Sequence, residues 1–318
     1  RFLRGVVDYS DLPLNVSREL LQEHRAIRII RSNVVKKVLD TLTDIMAKDR
    51  DRYVTFWGHF GSILKEGIHL DFENREKLQD LALFGYSTAD SGTYCSLAEY
   101  VERMPDTQKD IYYITAENHD AAAHSPHLEA FRKRGFEVLY MTDPIDEWVV
   151  QSLANYKGKH LRSIAKGDLN LDSEEEKKEK EEARKAADEQ FKPLLDKISA
   201  HLGDKVKEVR LSQRLTESAC CLVSDEYGIG IQMEKIMKAM RQDAPPARRI
   251  LELNPDHPLV ATMREMAERE DQAAKLESYT SLLYNQALLT AQLPVEDPLA
   301  FAKTVSDLMA AEAKSLLS

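Results

Sequence analysis

The sequence predicts an α+β protein of several domains, in which a long helix and a helical connector precede a small α/β/α layered subdomain and a mixed α/β C-terminal domain. Its 318 residues are enough for two or three domains, and its 12 glycines and 11 prolines are few, which favours helix. Short strands alternate with helical segments between residues 111 and 164, the pattern of a mostly parallel sheet covered by helices. A charged run over residues 173–190 separates this region from the rest of the chain.

The first predicted region covers residues 1–47. Its last element is one long amphipathic helix from Ser17 to about Lys48. Pro13 stops a preceding strand, and Asn15 or Ser17 can cap the first free N–H groups of the helix. Apolar residues recur at spacings of three and four, as on one face of a helix. They are Ile27, Ile30, Val34, Val38, Leu42 and Ile45.

A helical connector is predicted over residues 48–92. One helix covers about Tyr53–Glu66 and ends at Gly67, because glycine commonly terminates helices. A second covers about Asn74–Leu81 and is followed by a loop over Gly85–Gly92.

The small α/β/α subdomain is predicted over residues 93–167. Its elements alternate along the chain as strand Ile111–Thr115, helix Leu128–Arg134 closed by Gly135, strand Phe136–Met141, helix Asp143–Tyr156 and strand Lys159–Ile164. β-Branched and aromatic residues favour the strands. The alternation predicts parallel strands joined by helices that cover the faces of the sheet.

A charged segment and a C-terminal domain complete the chain. Residues 168–190 are predicted as a solvated, salt-bridged helix or linker that marks a domain boundary, because the charged run has no large apolar residue. The C-terminal domain, residues 191–318, is predicted to hold a helix, strands at Val206–Leu211 and Ala219–Val223, a Met-rich helix at about Ile229–Met240 and two terminal helices.

Charge and cysteine content exclude several classes of function. The chain has 44 Lys and Arg against 54 Asp and Glu, a formal net charge of -10, which argues against nucleic-acid binding. No apolar run approaches the length of about 18 residues that a membrane span needs, and we expect no signal peptide. Cys95, Cys220 and Cys221 lack the CxxC spacing of zinc and redox sites, which favours a reducing compartment. Because the chain begins at Arg1 within an apolar segment, we expect it to be a fragment of a longer protein.

Arg18 is the first candidate site residue. It falls in the first turn of the long helix, where free N–H groups and the helix dipole favour an anion and a guanidinium adds bidentate phosphate geometry. Asn15 and Gln22 flank it, Gln22 one turn further along. The alternative is a solvated arginine, or one that pairs with Glu19 or Glu23.

The Met-rich helix is the second candidate. Ile229, Met233, Ile236, Met237 and Met240 fall on one helical face. Because methionine side chains are unbranched and polarisable, they suit a surface that accepts apolar groups of many shapes. The alternative is an ordinary helix that faces the core.

The C-terminal helices predict a contact between two copies of the chain. One apolar stripe includes Leu276, Tyr279 and Leu283, and a second, after a helix start at Asp297–Pro298, includes Val305, Leu308 and Leu316. Since two helices cannot cover each other completely, a four-helix bundle made by two chains is the simplest solution. The alternative is packing onto the preceding strands of the same chain.

No combination of residues predicts a metal site or a self-contained enzyme. His119, His124 and His127 are interrupted by Pro126 and lack a completing ligand. Asp143 and Asp146 follow a strand, where ligands often bind in α/β folds. However, the sequence contains no GxSxG, Walker A or GxGxxG motif.

Several segments together resemble the heat-shock protein 90 chaperone family, in its bacterial, HtpG-like branch. The most specific are DLPLNVSRE, DIYYIT, DPIDEW, GIGIQMEKIMKAM and LELNPDHPLV. The resemblance covers nearly the whole chain and fails only in the charged segment. It implies that the chain is the later part of the family's middle domain followed by its C-terminal dimerisation domain.

The resemblance implies a role in ATP hydrolysis for the residues around Arg18. The family's matching arginine contacts the terminal phosphate of ATP held by an N-terminal domain, and Asn15 and Gln22 match neighbours in that catalytic loop. ATP and Mg²⁺ would bind in the full-length protein. We therefore expect no cofactor and no ATPase activity for this chain alone.

The resemblance also implies partners. Unfolded or partly folded proteins, called clients, would contact Trp148 and Gln151, and also the Met-rich helix at Ile229, Met233, Ile236 and Met237. The family implies a cytoplasmic homodimer that works with the bacterial 70-kDa heat-shock chaperone system, and neither nucleic acid nor membrane is an expected partner. The alternative function is a dimeric scaffold or assembly domain without client binding, in which the Met-rich helix belongs to the core.

Overall fold

The computed structural model describes residues 4–6, 25–169, 171–172, 174–242 and 247–317. They belong to two compact units. The first unit comprises Arg1–Arg103 and Ile145–Lys159, and the second comprises Met104–Pro144 and His160–Ser318.

Helices and strands alternate through much of the described chain. The α-helices are α1 (Arg25–Lys48), α2 (Arg50–Leu70), α3 (Arg75–Leu81), α4 (Leu97–Arg103), α5 (His119–Ala123), α6 (Glu129–Arg134), α7 (Asp146–Ser152), α8 (Glu174–Leu202), α9 (Ile231–Ala239), α10 (Pro258–Ala267), α11 (Ala273–Thr290) and α12 (Pro298–Ser315). The strands are β1 (Leu83–Tyr86), β2 (Cys95–Ser96), β3 (Ile111–Thr115), β4 (Leu139–Met141), β5 (Asn155–Tyr156), β6 (Lys159–Ser163), β7 (Val206–Leu211), β8 (Cys220–Val223) and β9 (Arg249–Leu253). The mixture confirms the α+β class, while the predicted domain boundaries remain predictions.

The first unit is built around α2. Asp49 caps this helix by accepting a hydrogen bond from the Arg52 N–H at 3.2 Å, and the aromatic side chains of Tyr53 and Trp57 are buried. The helix continues past Gly67, where the sequence predicted its end. A Cβ on Gly67 would lie 2.9 Å from the Leu78 side chain, so glycine at this position permits close approach of α3 and does not end the helix.

Two further predictions in the first unit are wrong in their boundaries. The predicted loop over Gly85–Gly92 contains the end of β1, which pairs antiparallel with β2. The predicted helix over Asp143–Tyr156 is limited to α7. The chain leaves α7 for β5 and then turns at Lys157–Gly158, where both residues have positive φ, a conformation that no helix continues through.

The second unit contains two small sheets, of which the first has β3 at its centre. β4 and β6 both pair parallel with β3, which confirms the parallel strands predicted from the alternation. Gly135 adopts a left-handed conformation with φ of 69° and ends α6 as predicted. The predicted strand Phe136–Met141 is shorter, since only its last three residues pair in the sheet.

The second sheet has the order β7-β9-β8. Its central strand, β9, pairs parallel with β7 and antiparallel with β8, and the sequence did not predict it. The strand reads Arg-Ile-Leu-Glu-Leu, and two charged residues among five obscure the apolar run that marks a buried strand. All five residues are nevertheless buried. Helix α10, which follows, was also not predicted.

The charged segment is helical. α8 runs for 29 residues from Glu174 to Leu202 and continues through Pro193. Its C-terminal half packs Phe191, Leu194 and Ile198 into the core beside β7, β8, β9, α10 and α11. Its N-terminal half is largely exposed, so the helix joins a solvated segment to a core segment.

Candidate functional site

The candidate residues Asn15, Arg18 and Gln22 lie outside the described residues. Their predicted roles therefore remain predictions from the sequence.

The Met-rich helix, α9, is shorter than predicted and leaves its apolar residues partly exposed. It begins at Ile231 after Gly230 and ends at Ala239, so Ile229 precedes it and Met240 follows it. Ile229, Met233, Ile236 and Met237 are each only half-buried, and Met240 is 58% exposed. The one buried residue of the helix is Glu234, whereas a helix that faces the core buries its apolar residues.

Glu234 fixes α9 to the second sheet. Its carboxylate accepts hydrogen bonds from Lys238, at 2.6 Å, and from Arg249 at the start of β9. Although burial alone raises the pKa of Glu234, the hydrogen bonds from these two cations lower it below its ordinary value. The Glu234 carboxylate keeps its own side of α9 against the second sheet, and the apolar stripe therefore stays at the surface.

Helix α7 presents the two other predicted client-contacting residues. Trp148 is half-buried and Gln151 is exposed, while Val149 between them is fully buried. The helix therefore has a packed inner side and an accessible outer side.

The predicted dimerisation residues fall into two groups. Leu276 and Leu283 of α11 are buried in the core of their own chain, and Tyr279 packs against that core. By contrast, no residue of α12 is buried. Val305 is half-buried, Leu308 is at the edge of exposure, and Leu316 after the helix end is 77% exposed. A single chain thus leaves the apolar stripe of α12 uncovered.

The three histidines do not form a cluster of metal ligands. No group of three His, Cys, Asp or Glu side chains suited to a metal ion occurs in the described parts of the chain. His127 is buried, and burial together with the nearby charge of Arg214 lowers its pKa to about 3, which keeps the imidazole neutral. His119 packs edge-on against Tyr140, with ring centroids 5.2 Å apart.

Arg214, a buried arginine that no sequence pattern indicated, joins the two sheets of the second unit. The Arg214 guanidinium donates to the Glu252 carboxylate at 2.8 Å and 3.1 Å. It also donates to the backbone carbonyls of Ile164 and Gly167, both at 2.6 Å. Arg210 donates to the same carboxylate from a more exposed position. No periodicity identifies such a network, because its members are far apart in the sequence.

A carboxylate adds a second connection at the same junction. Glu129 on α6 accepts hydrogen bonds from the backbone N–H groups of Thr216, Glu217 and Ser218, at 2.6 to 3.2 Å. Although burial raises the pKa of Glu129, these hydrogen bonds lower it below its ordinary value. The first sheet of the second unit is therefore firmly tied to the second.

None of the helices in the described ranges is both long and apolar enough to span a membrane. None of the three cysteines forms a disulfide, and all three are buried. Burial raises the pKa of the Cys220 thiol to about 12 and also raises that of Cys221, so these two thiols are poor nucleophiles at neutral pH.

Known proteins are similar in sequence to this chain along almost its full length. A family model described as Hsp90 protein matches residues 1–316. Two curated relatives named chaperone protein HtpG, from Geobacter sulfurreducens and Geobacter metallireducens, are each 51% identical over 315 residues, which cover 99% of this chain and 48% of the relative. A relative of the same name from Aromatoleum aromaticum is 48% identical over 316 residues, covering 98% of this chain and 48% of the relative. The chain spans about half the length of the curated relatives it matches.

Proposed function

Because this chain belongs to the Hsp90 protein family, we propose that it is the middle and C-terminal part of an ATP-dependent molecular chaperone. The curated relatives named chaperone protein HtpG support this proposal, and they are about twice as long as the chain. In this proposal the chain supplies client-binding surface and a dimer contact. Three buried cysteines that form no disulfide are consistent with the proposed cytoplasmic location.

The observation that carries the client-binding proposal is the partial exposure of the apolar residues in and beside α9. Met233, Ile236 and Met237 on the helix and Ile229 just before it are half-buried, while the acid of the helix, Glu234, is buried. Ion pairs hold this helix in place, and its apolar stripe is accessible. Such an exposed apolar surface is typical of a site that binds apolar groups. Methionine side chains adapt to ligands of different shape, which suits unfolded proteins as clients.

The burial of α9 does not favour the alternative, a dimeric scaffold without client binding. In that function the Met-rich helix would belong to the core. Among the described residues, the apolar core clusters of the second unit instead draw on the two sheets and on helices such as α6, α8, α10 and α11, and they include no residue of α9.

The uncovered α12 supports homodimerisation. An apolar helix surface that its own chain leaves exposed would be covered by the same surface of a second copy, related by a twofold axis. Val305, Leu308 and Leu316 would form the direct contact. The buried Leu276 and Leu283 would act indirectly, by fixing α11 against the core from which the bundle extends.

We further propose that Arg18 acts on ATP bound elsewhere in the full-length protein, with Asn15 and Gln22 beside it. A guanidinium there would neutralise charge that develops on the transferred phosphoryl group. The chain alone would neither hold the nucleotide and Mg²⁺ nor hydrolyse ATP. The motif DLPLNVSRE supports this proposal.

The client-binding proposal is tested by substituting the Met-rich stripe in the full-length protein. We expect Met233→Ser with Met237→Ser to weaken suppression of the aggregation of a heat-denatured model protein by about thirtyfold, because two apolar contacts of about 1 kcal/mol each are lost. Met46→Ser with Met266→Ser is the matched control, since both methionines are also half-buried but lie on other helices. Equal activity of the two double variants would reject the proposed surface.

A further inference from the structure

Helix α7 has too few residues to set its own direction. It has seven residues, and an isolated helix of that length is not stable in water. The direction in which Trp148 and Gln151 face must therefore be fixed by contacts that α7 makes with the rest of its unit. Two polar contacts with α2 connect its first and last residues.

The first contact is a buried ion pair. The Lys65 ammonium lies 2.9 Å from the Asp146 carboxylate, and the two side chains are 4% and 0% exposed. Lys65 also faces the rings of Phe84 and Trp57, with its nitrogen 5.0 Å and 5.9 Å from the ring centroids. The aromatic faces favour the cation at this position and limit where the carboxylate of Asp146 can lie.

The second contact is a hydrogen bond at the other end of α7. His69 Nδ1 lies 2.8 Å from the Ser152 hydroxyl. Lys65 and His69 are four residues apart on α2, so they lie on the same face of that helix, one turn apart. Asp146 and Ser152 are the first and last residues of α7. Attachment at two points fixes both the position and the direction of a short helix, whereas one point would leave it free to pivot.

A charged pair is not needed for stability alone at this position. Replacing a buried ion pair with apolar residues of similar volume is often neutral or stabilising, while its hydrogen bond imposes a geometry that apolar packing does not. Resting on the proposed client role of α7, we propose that Lys65 and His69 are positioning residues for client binding. They hold α7 so that Trp148 and Gln151 face outward together.

The proposed ligand is an extended segment of an unfolded protein. The half-buried indole of Trp148 offers an apolar face to a side chain of the segment, and the exposed amide of Gln151 can pair with a backbone amide. An α7 that is held in place presents both groups without a further loss of entropy, whereas a freely pivoting helix would lose entropy on binding.

The test uses the full-length protein and a fluorescein-labelled, unstructured peptide with apolar residues at every third position. Ser152→Thr and Ser152→Val have the same shape and differ in the hydroxyl. We expect Ser152→Thr to bind the peptide like the wild type and Ser152→Val to bind about threefold more weakly. We expect Lys65→Met with Asp146→Asn, which replaces the ion pair by neutral side chains of similar shape, to bind about tenfold more weakly. Hydrogen exchange of residues 146–152 should accelerate in both weakened variants, while the midpoint of global unfolding changes little.

Two controls separate a positioning role from other effects. Lys77→Met with Asp40→Asn removes an exposed ion pair of the same unit, 2.8 Å long, and should leave peptide binding unchanged. Trp148→Ala tests the client role itself. If Trp148→Ala weakens binding while the Lys65 and Ser152 variants do not, the positioning role is wrong and the client role stands. If Trp148→Ala has no effect, the client role of α7 is wrong and the positioning role is overturned with it.

Discussion

The most deeply buried charges of the second unit form one hydrogen-bonded group. Arg214 is only 1% exposed, yet it donates to a carboxylate and to two backbone carbonyls. Such a cation is tolerated because each of its three nitrogens has an acceptor. Its removal would take two hydrogen bonds from Glu252, which Arg210 would still contact, and one from each carbonyl.

We expect Arg214→Met to lower the free energy of unfolding by about 3–5 kcal/mol, because it breaks a buried charge pair. Arg210→Met is the matched control. Its side chain binds the same carboxylate but is 24% exposed, so we expect a loss of about 1.5 kcal/mol. Urea unfolding of both variants measures the difference. Equal losses in the free energy of unfolding would show that the deeper burial of Arg214 does not increase its contribution to stability.

His127 makes stability depend on pH. Its pKa is about 3 in the folded protein, against about 6.5 for an unperturbed histidine. The unfolded chain takes up a proton as the pH falls below about 6.5, and the folded protein does not, so the free energy of unfolding decreases by up to about 1.4 kcal/mol per pH unit from this group. Above pH 6.5 both states are neutral, and the contribution is constant.

We expect His127→Gln, which keeps an N–H donor but cannot titrate, to remove this dependence. The measurement is urea unfolding of wild type and variant between pH 7.5 and pH 4.5, in which the titration of carboxylates is common to both proteins. The two curves of stability against pH should diverge below about pH 6.5. Parallel curves would contradict the assignment of a neutral, buried imidazole.

At the scale of elements, ion pairs around Asp172 connect the charged half of α8 to α6, and Glu176 on α8 adds a pair with Arg134 at 3.6 Å. Asp172, whose side chain is 7% exposed, pairs with Lys180 at 2.8 Å and with Arg184 at 2.6 Å, and also with Arg134 on α6. Although burial raises the pKa of Asp172, these cations lower it below its ordinary value. The segment predicted as a salt-bridged helix or linker is thus a helix with a defined ionic contact.

We expect Asp172→Asn to release the first half of α8. The cations it leaves behind remain solvated, so the loss in the free energy of unfolding should be small, about 1 kcal/mol. Hydrogen exchange of residues 174–186 should accelerate clearly in the variant, and in the wild type it should accelerate with added salt. Glu181→Gln, which removes an exposed ion pair with Lys185 on the same helix, is the control and should change exchange little. Unchanged exchange in Asp172→Asn would rule out the ionic attachment.

Elements with a clear period or cap were predictable, and others were not. The start of α12 after Asp297 is confirmed, because a capping side chain followed by proline is a local signal. The end of α2 was wrong because Gly67 serves a contact with α3, which is not local. β9 was missed because its charged residues, Arg249 and Glu252, are neutralised by partners elsewhere in the chain.

At the scale of the whole molecule, the uncovered surface of α12 predicts a dimer. Light scattering at tens of micromolar should give twice the mass of the chain. We expect Leu308→Asp with Leu316→Asp to give a monomer. Each leucine that is no longer buried in the dimer contact lowers the association free energy by about 2 kcal/mol. Leu70→Asp, on the exposed end of α2, is the control and should leave the mass unchanged. A strict monomer in the wild type would contradict the bundle.

The sequence by itself determined the α+β class, the long helices and the family, since composition, periodicity and motifs are properties of the order of residues. Only the tertiary structure decided which of several similar apolar stripes is covered. The stripe of α11 is in the core, while those of α9 and α12 are accessible, because a period specifies a face but not what lies against it. The same holds for the partners of buried charges. Lys65 pairs with Asp146 across 81 residues of sequence, and such a pairing depends on distance in space.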